Sequence, residues 1–142
     1  MRIAASGCFV GLHEGHQELL TWIGEIATLL DLPVTIAVNT HEYAFKKHGD
    51  KYPSNPVWNV RLQEQVRRDN IFTWMKSKFD LQLDVIISDD VLSEIQEEII
   101  WIVGDDHICM QFKEVAHVAG VITTKRTTGK STTALIEEVA NV

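Results

Sequence analysis

Apolar positions recur along the chain in two rhythms. Arg2–Ser6 is a short apolar run of strand length. Leu19, Leu20, Ile23, Ile26, Ala27 and Leu30 then return at three- and four-residue spacing, which predicts an amphipathic helix over His16–Leu30. Pro33 stands just beyond its end, where a helix stop belongs. Val34–Val38 is rich in β-branched residues and reads as a buried strand. Residues 40–56 hold Gly49, Pro53, Ser54 and Pro56, so they read as one long loop. Helical spacing resumes over Val57–Lys78. Asp84–Ser88 and Ile99–Val103 read as the third and fourth strands, with a short crossover helix over Val91–Glu98 between them. Residues 108–118 are moderately helical, and Gly120–Thr123 is a weak fifth strand. Ser131–Asn141 closes the pattern as a helix, capped by Ser131 or a neighbouring threonine.

Alternation of strand and helix predicts an α/β domain: a parallel five-stranded sheet with helices on both faces. The 142 residues suit one compact domain, 1–142, with no repeat or flexible linker. A chain this long buries about 68–70% of its unfolded surface and needs no staple to fold. The hydrophobic fraction of 45% and charged fraction of 23% are those of an ordinary globular chain. Only Cys8 and Cys109 are present, without metal or redox spacing, which points to a reducing compartment. The apolar stretch at the start is too short for a signal peptide or a membrane span, so a cytoplasmic location is expected. A net charge of −7 argues against general nucleic-acid binding. It leaves room for a local basic site.

In parallel sheets, ligands bind beyond the carboxyl ends of the strands. After the first strand comes Gly7-Cys8-Phe9-Val10-Gly11-Leu12-His13-Glu14-Gly15-His16. Glycines let the backbone turn sharply and let a phosphate approach. The segment feeds a helix N-terminus, whose unpaired N–H groups favour anions. His13 and His16 can converge on one ligand and stabilise charge developing on a phosphoryl group. A pair of surface histidines at a helix start is the plainer alternative. After the fourth strand comes Gly104-Asp105-Asp106-His107, whose carboxylates suit hydroxyls or a hydrated magnesium, or simply cap a helix. Before the last helix comes Lys125-Arg126-Thr127-Thr128-Gly129-Lys130-Ser131-Thr132-Thr133, a basic, hydroxyl-rich loop fit for phosphate. Its Gly129-Lys130-Ser131 is not a Walker A motif, because Thr124 stands where the leading glycine is needed. Lys46, Lys47 and Lys51 lie in the long loop, either as solvated charges or as lysines that close over a triphosphate. Arg61 follows them and can meet the same ligand.

With these segments in view, the chain resembles the cytidylyltransferase-like nucleotidyltransferases. Residues 7–16 look like that family's G-x-F-D-x-x-H-x-G-H signature, and 126–133, RTTGKSTT, look like its R-T-x-G-x-S-T-T signature. WIVGDDH at 101–107 matches in order and spacing, so the resemblance covers nearly the whole chain. Within the family it is most similar to the glycerol-3-phosphate cytidylyltransferases.

The resemblance implies a Rossmann-like fold and transfer of a cytidylyl group from CTP to a small phosphorylated alcohol such as glycerol 3-phosphate. It implies that His13, His16, Lys47 and Arg126 act on the phosphates, with Lys51 a weaker match to a loop lysine. By the same match, Gly7, Cys8, Phe9, Gly15, Arg61, Thr128, Ser131 and Thr132 line the nucleotide, and Gly104, Asp105 and Asp106 lie at its base and ribose. It further implies Mg2+ arriving with the triphosphate and a homodimer, with neither nucleic acid nor membrane as partner. Two positions depart from the pattern. Val10 replaces the signature aspartate, and His41 replaces an acidic residue after the second strand. Metal ligands are therefore unassigned. An ATP-dependent adenylyltransferase and a catalytically silent nucleotide-binding module are the competing expectations.

Overall fold

The computed structural model describes residues 1–48, 63–104 and 117–124. Five strands form one parallel sheet: β1 (Arg2–Gly7), β2 (Val34–Val38), β3 (Leu83–Ile87), β4 (Ile99–Gly104) and β5 (Val118–Thr124). Their order is β3-β2-β1-β4-β5. This is a Rossmann-like α/β topology. The chain builds outward from β1 to β3, then returns to the other side of β1 for β4 and β5, so the order reverses between β1 and β4.

Alternating side chains give the sheet two apolar faces. On one, Ile3, Ala5, Val34, Ile36, Val38, Val85 and Ile102 pack with helices α1 (Glu14–Leu30) and α3 (Glu64–Lys78). Leu20, Ile23 and Ala27 come from α1, and Ile71 and Met75 from α3. Each large aliphatic side chain buried there contributes about 1.5–3 kcal/mol. On the other face, Ala4, Ala37, Ile99, Trp101 and Val103 pack with Val91 of the one-turn helix α4 (Val91–Glu94) and with Ile95 beyond it. β2 is buried along its whole length, as its β-branched composition predicts.

Several boundaries differ from the sequence expectation, each for a local reason. α1 starts at Glu14, ahead of His16, because His13 caps it. It ends where Asp31 turns left-handed at φ 55 and donates its N–H to the Ala27 and Thr28 carbonyls. The supposed loop over 40–56 begins instead with a helix, α2 (His41–His48). That stretch has neither glycine nor proline, buries Ala44, and is capped by Thr40, whose Oγ1 accepts from the Tyr43 N–H at 3.2 Å. The turn-forming Gly49, Pro53, Ser54 and Pro56 lie outside the described residues. The helix expected from Val57 does not run unbroken to Lys78. It starts at Glu64, after an extended Gln63 (φ −62, ψ 129).

Smaller shifts occur elsewhere. The third strand is moved one residue toward the N-terminus, and the fourth extends to Gly104. The crossover helix stops at Glu94, because Ile95 is extended. β5 is longer than expected and takes in Val118, which had been grouped with a helix over 108–118. Residues 105–116 and the expected final helix, Ser131–Asn141, lie outside the described residues. Among the described residues, no helix is long and apolar enough to cross a membrane.

Candidate functional site

β1 and β4 pair at Arg2↔Ile99, Ile3↔Ile100 and Ala4↔Trp101, and no further among the described residues. Both strands continue beyond that point, so they part toward their carboxyl ends. The chain leaving β1 lies at the mouth of this crevice. It carries Gly7, Cys8 and Phe9 into a tight turn and delivers His13 and His16 to the start of α1.

The turn is held in conformations that side chains rarely adopt. Phe9 (φ 53), Gly11 (φ 78) and Leu12 (φ 42) are all left-handed. Only Gly11 takes that shape freely; the other two each cost about 1–3 kcal/mol. Such cost persists only where the surroundings over-determine it. Here the Phe9 ring is buried and lies so close to Gly7 that a Cβ there would meet it at 3.1 Å. Val10 is fully buried as well. Position 10 is therefore part of the apolar interior of the turn.

His13 and His16 stack, with ring centroids 3.5 Å apart and planes 22° from parallel. His16 also meets the Phe9 ring at 5.3 Å, tilted by 60°. Nδ1 of His13 accepts hydrogen bonds from the N–H of Gly15 at 3.1 Å and of His16 at 3.3 Å, so this ring is the N-cap of α1. The plainer reading of His13, a residue at a helix start, thus describes part of its work. The cap is made through Nδ1.

Cys8 is buried, and its thiol contacts Asn39 Oδ1 at 3.4 Å. Burial pushes the thiol above its ordinary range, and Asp89 adds to that; the positive charges of Lys47 and Arg67 pull the other way. Lys47 itself is exposed on α2. It therefore stands on a helix at the site's edge, within electrostatic reach of the turn, rather than in a loop.

One residue of the site escaped the sequence reading. Arg67 is 1% exposed, and a single Nη1 donates to the carbonyls of Cys8 and Asn39, each at 2.8 Å. It bolts the turn after β1 to the turn after β2. Its signal was in the spacing: Arg67, Ile71 and Met75 recur every four residues, so the arginine occupies a core position of α3. Asn39, Thr40 and Asp89 complete the same framework. Asp89 accepts from both the N–H and Oγ1 of Thr40, and Glu64 accepts from the His41 N–H at 2.8 Å.

Gly7, Cys8, Phe9, His13, Gly15, His16 and Lys47 are thus gathered at one end of the sheet, and Gly104 ends the neighbouring strand. Lys51, Arg61, Asp105, Asp106, Arg126, Thr128, Ser131 and Thr132 lie outside the described residues. Among the described residues, no three His, Cys, Asp or Glu side chains cluster to hold a metal ion. A cavity of about 500 Å³ lies elsewhere, beside β3 near Arg2, Thr35 and Asp84. Arg2 is engaged there by Glu97, Thr35 and Asp84, so the cavity's chemistry is that of a structural ion cluster.

No protein-family model matches the chain, and no curated protein matches it. Among solved structures, a macrolide-efflux protein from Streptococcus pneumoniae is similar at 16% identity and a TM-score of 0.46, over 87% of this chain and 46% of that one. The chain thus spans less than half the length of that protein.

Proposed function

We propose that this chain is a nucleotidyltransferase of the cytidylyltransferase-like kind, moving a cytidylyl group from CTP to a small phosphorylated alcohol such as glycerol 3-phosphate. The observation that carries the reading is the stacked His13–His16 pair at the N-terminus of α1, beside the point where β1 and β4 part. A helix start supplies N–H donors and a positive dipole end, and the two rings add polar donors at the same place.

The reaction is an in-line displacement. An oxygen of the acceptor's phosphate forms a bond to the α-phosphorus, the bond from that phosphorus to the bridging oxygen breaks, and pyrophosphate leaves. No protein nucleophile is needed, because positioning and charge stabilisation supply the catalysis. His13 and His16 act on the phosphates from α1, and Lys47 from α2. The second signature assigns Arg126, Thr128, Ser131 and Thr132 to the same phosphates. Mg2+ arrives with the nucleotide, and the family reading carries with it a cytoplasmic homodimer.

Pyrophosphate release tests this directly. The protein is incubated with magnesium, CTP or ATP, and a panel of sugar and polyol phosphates. Release with CTP alone supports the proposal; release with ATP alone makes the chain an adenylyltransferase. The His16→Ala chain should lose at least about a hundredfold in turnover, the usual effect of removing one charge-stabilising donor. Near wild-type turnover in that chain would remove His16 from the mechanism. Val10 favours a second reading, a module that binds nucleotide without turning it over. Nucleotide binding without pyrophosphate release would select it.

A further inference from the structure

We propose that the two stacked histidines divide their protonation states: His13 works as a neutral ring with its proton on Nε2, and any positive charge of the pair resides on His16. The proton placement rests on the geometry of α1. Its use on a triphosphate rests on the nucleotidyltransferase reading above.

Three observations converge. First, Nδ1 of His13 accepts from two backbone N–H groups, those of Gly15 and His16. A ring nitrogen that accepts carries no proton, so the proton of the neutral ring sits on Nε2. Protonating Nδ1 would turn it into a donor facing two donors. Charging His13 and capping α1 are therefore mutually exclusive. Second, the rings are 3.5 Å apart and nearly parallel. Two imidazolium rings at that separation repel strongly, so the pair holds at most one charge. Third, His16 meets the aromatic ring of Phe9 at 5.3 Å, and an aromatic neighbour favours a cation.

The charged and titratable groups at the starts of α1 and α3 and along α2 include Glu14 and Glu18, Glu64 and Arg67, and His41 and Lys47. The carboxylates favour a charge on the pair and the cations oppose it. Neither acts through the capping nitrogen, which is what distinguishes His13 from His16. The site would then present one neutral Nε2–H donor and one ionisable ring. Acidification far enough to charge His13 would release the cap and with it the start of α1.

Nitrogen-resolved NMR of the histidine rings in the full chain tests the assignment, with signals identified from His13→Asn and His16→Asn chains. At neutral pH, His13 should show an unprotonated Nδ1 and a protonated Nε2. As the pH falls, His16 should gain its second proton before His13 does. A proton on Nδ1 of His13, or His13 charging first, would overturn the proposal.

A second measurement separates capping from catalysis. Asparagine is a good N-cap but has no equivalent of Nε2–H. His13→Asn should therefore keep a melting temperature near wild type, whereas His13→Ala should lower it. Both should lose at least about a hundredfold in pyrophosphate release from CTP with magnesium. Equal loss of stability in the two chains would refute the capping role. Full activity in His13→Asn would refute the donor role. If the wild-type chain releases no pyrophosphate, the nucleotidyltransferase reading fails, while the NMR titration and the melting comparison still decide where the proton lies.

Discussion

Asp89 holds Thr40 twice: Oδ1 accepts from the Thr40 N–H and Oδ2 from its Oγ1, each at 2.8 Å. The two residues follow β3 and β2, so the bonds tie adjacent strand ends together. Thr40 also caps α2, the helix that carries Lys47. Because both bonds are open to water, Asp89→Ala should cost only about 1 kcal/mol of stability, read from the urea midpoint. The larger effect should fall on ligand. On the proposed function, loosening α2 should weaken nucleotide affinity by about tenfold, equivalent to about 1.4 kcal/mol. Unchanged affinity would separate α2, and Lys47 with it, from the site.

Arg67 is the stronger tie. It is buried, and it satisfies the carbonyls of Cys8 and Asn39 with one nitrogen. Arg67→Met keeps most of the apolar stem but leaves both carbonyls without this donor. The expected loss is about 3 kcal/mol, since each buried acceptor left unsatisfied costs about 1–3 kcal/mol. Arg67→Lys should recover part of it, because an ammonium can donate but lacks the planar fork. Denaturant titration of the three chains measures this order. A Met chain as stable as wild type would show that the two turns hold themselves.

The fold was legible because its strands and first helix have strong patterns. Val34–Val38 is rich in β-branched residues and was placed to the residue, and α1 was found from its apolar stripe. What failed to show were features set by tertiary partners. α2 is short and largely polar, and its start is fixed by Thr40, Asp89 and Glu64, the last two distant in sequence. The glycines and prolines downstream pulled the whole stretch toward a loop. The histidine pair was legible from its place after β1. Its stacking and the capping bond of His13 were not, because Ser, Thr, Asp and Asn are the residues expected at an N-cap. Arg67 went unremarked in a polar helix, although its spacing with Ile71 and Met75 marks a core position.

Gly24 faces Phe79 so closely that a Cβ on it would overlap the ring. The contact joins the middle of α1 to the residue that ends α3. Gly24→Ala gains about 1 kcal/mol in helix propensity. Forcing the ring aside costs about 1–3 kcal/mol where the core is well packed. The net expectation is a loss of about 1 kcal/mol, seen as a lower melting temperature. Gly24→Ala combined with Phe79→Leu should recover it. A single Gly24→Ala chain more stable than wild type would mean that the ring moves freely.

The alkaline stability of the chain should carry the signature of Cys8. Burial holds its thiol above the ordinary range, so the folded chain keeps this proton longer than the unfolded one. Below the ordinary cysteine value, about 8.5, both states are protonated and the thiol favours neither. Above it the unfolded chain ionises first, so stability falls as pH rises toward the folded value. Cys8→Ser has no thiol to ionise. Compared with Cys8 in a shared Cys109→Ser background, it should lose less stability as the pH rises above about 8.5, the ordinary cysteine value. Lysine and tyrosine titrations are common to both chains and cancel in the difference. Lys47→Ala should steepen the Cys8-dependent fall, because Lys47 helps a thiolate form. A stability difference that stays flat over that rise would place the thiol in contact with water.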